Sequence, residues 1–174
     1  MRREGKIILT FIVSLWLAVP IYLILHEGGH VLVAALCGAK IVEFNLLQGY
    51  VVVEGGTFNE LSLALFYAAG LLVPVVVFII YLILYNSKFQ NVVYKVFSGF
   101  FTGVILFAIG VWVVVPILYL LGGGNPNDDV IQLIKVLKIN PLVVSIFATL
   151  LMGICGLGIW KKRILQNAYY VLKS

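Results

Sequence analysis

The sequence predicts an all-α membrane protein with about four transmembrane helices, a short β-hairpin between the first and second, and a short amphipathic helix before the fourth. Three observations predict it. The composition is 63% hydrophobic and only 11% charged, against roughly 45–50% apolar and about 25% charged in soluble globular chains. A chain of 174 residues leaves too much surface outside to hide that excess in one small core. Four apolar runs are each long enough to cross a hydrocarbon layer of ~30 Å. The basic residues sit at the ends of those runs, where membrane topology places them. No repeat and no long polar linker interrupts the chain, so residues 1–174 read as a single domain.

The first run extends from about Ile7 to Leu36. Arg2, Arg3 and Lys6 before it look like the start of a signal peptide, but Ile7–Leu25 alone is about 19 residues, longer than an ordinary apolar signal region of 7–15. No small-x-small cleavage site closes the run before His26, so it reads as a retained first helix. Lys40–Asn59 has a different texture. It is rich in β-branched residues and carries Gly49, Gly55 and Gly56 as turn signals, which predicts a hairpin or ribbon over Ile41–Phe58.

The second span is Leu61–Tyr85, the third about Val96–Leu121 and the fourth Leu142–Trp160. Pro20, Pro74 and Pro116 lie inside the first three spans, where proline is tolerated when neighbours satisfy the freed carbonyl; kinks are expected rather than breaks. Gly122–Asn127 is a turn-forming loop. Asp128 or Asn127 then caps a helix over Asp129–Lys138, with Val130, Ile131, Ile134 and Leu137 as its apolar stripe. Lys135 and Lys138 fall at its C-terminal end, as the helix dipole favours.

With the N-terminus inside, nine of the twelve Lys and Arg residues fall on cytoplasmic segments; only Lys40, Lys135 and Lys138 fall opposite. Both termini are therefore expected in the cytoplasm, with the lipid bilayer as solvent. The net charge of +5 does not point to nucleic acid, because no basic face is interleaved with aromatics. Cys37 and Cys155 form no CxxC pair and read as structural thiols rather than a sulfur-type zinc site.

Residues 26–30 read His26-Glu27-Gly28-Gly29-His30, an HExxH motif in the second half of a hydrophobic helix. Positions i and i+4 project from nearly one face, so the two imidazoles can converge on one metal ion with Glu27 beside them as the proton-accepting base. These are the chain's two histidines. An ionisable residue at the centre of a membrane helix costs ~2.5–3.5 kcal/mol on insertion scales, so three together need a reason. The metal-free alternative is a polar contact between helices.

A catalytic zinc site takes three protein ligands. Of the seven acidic residues, Glu4 lies at the cytoplasmic end, and Glu43, Glu54 and Glu60 lie in or next to the hairpin. Asp128 and Asp129 lie on a loop that returns to the side of the membrane where His26 and His30 sit. Asp129 is favoured as the third ligand because it directly precedes the apolar stripe; Asp128 then serves as cap, and Glu54 is a weaker rival. Gly28 and Gly29 are expected to pack against the second span near Ala68–Gly70.

A hydrophobic first helix bearing His26-Glu27-Gly28-Gly29-His30 resembles the site-2 protease family of intramembrane zinc metalloproteases, here in compact form. The glycine- and β-rich stretch from Gly38 to Gly56 fits, as do Ala68-Ala69-Gly70-Leu71-Leu72-Val73-Pro74 in the next span and the Asn125–Asp129 loop. The chain departs from the family pattern where Val130, not glycine, follows Asp129. The resemblance implies Zn2+ held by His26, His30 and one aspartate, Glu27 as general base, and a membrane protein or peptide as substrate. It implies hydrolysis of peptide bonds within or beside the membrane. Asn125 or Asn127 would either donate to the oxyanion or structure their loop, and the ribbon would either pair with an extended substrate or cap the site. The rival reading is a non-catalytic metal-binding scaffold or transport component. Glu27 argues against a scaffold, which needs no base, and a transporter would show charged residues strung along a path.

Overall fold

The computed structural model describes residues 3–46 and 48–173, with side chains from Gly5 onward. The elements run α1 (Arg3–Leu36), β1 (Ala39–Asn45), β2 (Tyr50–Gly55), α2 (Glu60–Leu84), α3 (Val92–Leu120), α4 (Asp129–Leu137), α5 (Pro141–Lys162) and α6 (Ile164–Lys173). Four of them, over 5–36, 60–84, 92–120 and 141–162, are long and apolar enough to cross a membrane. All four expected spans are present, and α1, α2 and α3 run unbroken through Pro20, Pro74 and Pro116. Large apolar side chains such as Trp16, Leu36, Phe107 and Leu150 lie on the outside, which suits a lipid solvent and not water.

Local chemistry sets the boundaries. Asn59 and Ser62 form a reciprocal capping box at the head of α2, each side chain satisfying the other's backbone N–H at 2.8 Å. Asn91 caps α3 and Asn140 caps α5, the latter followed by Pro141, whose missing N–H is no loss in a first turn. Asp128 caps α4 through Val130 N–H at 3.0 Å, as expected. Val130, Ile131 and Ile134 are buried, but Leu137 is exposed: the helix stops there, with Lys138 in the left-handed region, so the fourth stripe position turns away from the core.

The hairpin is antiparallel, pairing Ala39 with Gly55 and Asn45 with Tyr50, with a bulge between Ile41 and Glu43. It begins at Ala39, two residues before the Ile41–Phe58 ribbon expected, and ends sooner, because Gly55 and Gly56 both take positive φ and close the strand. Its turn is closed by a Gly49 N–H bond to the Asn45 carbonyl.

Helix α1 packs on α2 and α3, α3 on α5, and α4 on α2. The core holds Leu71, Val75, Phe78, Ile105, Ile109 and Ile131, and the Ser145 hydroxyl donates to the Val113 carbonyl to join α5 to α3. Helix α6 has no counterpart among the expected elements. Arg163 turns the chain through a left-handed conformation, and Ile164 and Ala168, one turn apart, are buried as α6 packs on α3 and α5. A methyl group on Gly99 of α3 would come within 3.1 Å of the Ala168 methyl, so this contact depends on small residues.

Candidate metal centre

Helix geometry puts His26 and His30 on one face of α1, with their ring centroids 5.0 Å apart. The head of α4 comes up to that face. One carboxylate oxygen of Asp129, Oδ2, lies 3.3 Å from Nε2 of His26 and 3.1 Å from Nε2 of His30. The donor atoms of these three residues lie within 4.8 Å of one another, the one group among the described residues able to hold a metal ion. Glu27 is buried beside them, its Oε1 3.8 Å from His26 Nε2. The loop after α3 therefore returns to the end of α1 that carries the histidines. The rival Glu54 stays outside the group: it faces Lys40 across the hairpin.

The hydrogen bonding fits a cation. His30 Nδ1 lies 2.8 Å from the Phe66 carbonyl. A carbonyl only accepts, so Nδ1 carries the proton and a neutral His30 presents the Nε2 lone pair to Asp129. Two acceptors face each other at 3.1 Å, an arrangement that only a proton or a cation between them stabilises, and His26 converges on the same oxygen. Two imidazoles and a carboxylate are a donor set that zinc accepts. Burial acts to raise the Asp129 carboxyl, but when a proton rather than a cation fills the gap, hydrogen bonds and charge from His26 and His30 outweigh it and hold it at about 2, so it is ionised at neutral pH, as a ligand must be. Burial instead raises the Asp128 carboxyl, against the Val130 N–H that lowers it.

A protein-family model described as Peptidase M50B-like matches residues 7–124. The chain belongs to the peptidase M50B-like family. That match spans His26, Glu27 and His30 and stops short of Asp129, so the aspartate rests on the geometry alone. No curated protein and no solved structure matches the chain.

The surroundings of the centre in this M50B-like chain match the sequence expectations only in part. Gly29 does meet the second span: a methyl there would come 2.3 Å from the Ala69 carbonyl oxygen. Gly28 does not, and has nothing within 4 Å in that direction. Gly70 does more than belong to a packing segment. A methyl on it would fall 2.7 Å from both His26 Cε1 and His30 Nε2, so its bare Cα gives the two imidazoles their room. The Phe66 carbonyl and Tyr22, whose hydroxyl lies 3.4 Å from His26 Nδ1, carried no signal beyond their apolar surroundings. Asn125 accepts from the Asn127 backbone N–H at 3.0 Å and so structures its loop, whereas Asn127 lines the cavity.

That cavity has a volume of about 1030 Å³. At one end it holds His26, Glu27, His30, Asp128 and Asp129, with Gly49 and Tyr50 of the hairpin. It then follows α1 and α3 past Val19, Val104 and Phe107 to Phe11, Val96 and Leu165 and Ala168 of α6. From Phe11 to His30 is about 28 Å of helix at 1.5 Å per residue, close to the thickness of a hydrocarbon core.

Proposed function

We propose that the protein is an intramembrane zinc endopeptidase that hydrolyses peptide bonds of membrane proteins or membrane-bound peptides. The observation that carries this reading is the convergence of His26, His30 and Asp129 on one point, with the buried carboxylate of Glu27 next to it. His26, His30 and Asp129 would hold the ion. Bound zinc would supply Lewis acidity to the scissile carbonyl and lower the pKa of a coordinated water.

The rest is the work of the chain's own groups. Glu27 accepts the proton of the attacking water on its carboxylate and returns it to the leaving amine. Its burial keeps bulk water from competing for that proton. The Phe66 carbonyl keeps His30 in the tautomer that turns Nε2 inward. The apolar cavity beside α1 and α3 receives the substrate segment, and Gly49 at the hairpin turn lies against Glu27, where a methyl would stand 3.7 Å from its Oε1. The charge bias puts both termini, and so the near side of α6, in the cytoplasm; Arg2, part of that count, lies outside the described residues. Residues 1–174 act as one unit in this reading.

The test is direct. Purified protein is expected to carry one zinc per chain and to cleave a transmembrane peptide in vesicles. Glu27→Gln should keep the zinc and lose about 10²–10⁴-fold in rate. Zinc without cleavage in the wild type would support the scaffold reading, and an unchanged rate in Glu27→Gln would remove Glu27 from the chemistry.

A further inference from the structure

The two histidines are not held alike. His30 has a backbone carbonyl behind it at 2.8 Å. For His26 the hydrogen bond at Nδ1 comes from a side chain one turn earlier on the same helix, the Tyr22 hydroxyl at 3.4 Å, with the two rings 5.7 Å apart and tilted. We infer that Tyr22 is the positioning residue of the metal centre: its hydroxyl oxygen accepts the Nδ1 proton of His26 and so fixes the tautomer whose Nε2 faces Asp129. The inference rests on the zinc reading above.

The chemistry allows one polarity. A hydroxyl can donate or accept. If Tyr22 donated to Nδ1, the His26 proton would sit on Nε2 and point at the Asp129 carboxylate, and a neutral His26 could not bind a metal there. Ligation through Nε2 requires the proton on Nδ1, so Tyr22 must accept it. The same bond raises the basicity of the ring and limits its rotation about Cβ. Limiting that rotation matters more for His26 than for His30. His30 is 4% exposed and flanked by Phe66 at 4.9 Å between ring centroids, whereas 22% of the His26 side chain is open to the cavity. Tyr22 itself lines that cavity, so its own proton remains free to point into it.

Tyr22→Phe removes the oxygen and keeps the ring. Zinc affinity of the full-length protein in detergent, measured by competition with a chelator, is expected to fall by about 10–100-fold. The absorption spectrum of the cobalt-substituted protein should change with it, since the ligand geometry loosens, while the unfolding temperature of the metal-free protein stays that of the wild type. Affinity and cobalt spectrum equal to the wild type's would overturn the inference and leave the zinc reading intact. A drop in affinity accompanied by an equal loss of metal-free stability would assign Tyr22 to packing and overturn it too. A wild-type protein that binds no zinc would instead remove the function proposed above.

Discussion

Three glycines near the centre look alike in sequence and differ in what their missing methyl would strike. At Gly28 the space is open, so Gly28→Ala is expected to leave zinc binding unchanged and to stabilise α1 by up to ~1 kcal/mol through helix propensity. At Gly29 the obstacle is the Ala69 backbone, which cannot yield, and Gly29→Ala should destabilise the protein by about 1–3 kcal/mol by prising α1 from α2. At Gly70 the obstacles are the tips of two imidazoles, which can swing. Gly70→Ala should therefore leave the unfolding temperature of the metal-free protein near its wild-type value and abolish zinc binding. Thermal unfolding and metal analysis of the three variants check the set; zinc retained in Gly70→Ala would show that the histidines have room to spare. His26, Glu27 and His30 were legible because ligand geometry on one helix is fixed by spacing alone. Gly70 and Tyr22 were not, since the first depends on how α2 lies against α1 and the second on the rotamer of a ring.

Helix α4 shows two adjacent aspartates doing different work. Asp128 spends its carboxylate on the Val130 N–H at 3.0 Å, and Asp129, one residue on, reaches the histidines. Asp128→Ala should cost about 1 kcal/mol of stability with zinc retained, whereas Asp129→Asn should lose zinc. The reverse pattern in metal analysis would exchange their roles. The sequence favours this division without deciding it, because Asp129 directly precedes the apolar stripe while Asp128 holds the position of a cap. The end of the same helix could not, since Leu137 has the right spacing but no turn of helix beyond it to hold it down. Helix α6 escaped for another reason: the basic Lys161-Lys162-Arg163 run looks like the end of a span, while Ile164 and Ala168 supply only a short apolar face whose partner, the α3 groove at Gly99, is set by tertiary packing.

Four long helices, a hairpin and the two short helices α4 and α6 make one arrangement in which the head of α4 meets the second half of α1, and the distribution of charge is what argues for its orientation in a bilayer. A cysteine introduced at Lys173, with Cys37 and Cys155 replaced by serine, should react with an impermeant reagent from the cytoplasmic side, and one at Lys138 from the opposite side. Labelling in the opposite sense would invert the molecule without disturbing the metal centre. The long cavity beside α1 has a thermodynamic consequence of its own. Away from the metal centre its walls are mostly apolar, so in a bilayer fatty-acyl chains would fill that part at rest. On the function proposed above, a polypeptide entering there would displace hydrocarbon with hydrocarbon, so little water would be released along the apolar walls and the exchange would be close to neutral. Selection would then fall to shape, to the polar groups at the metal-binding end, and to the ease with which a helix unwinds there. Such a protein would turn over the segments that fit worst in lipid, and its rate would vary with the length and saturation of the fatty acids around it.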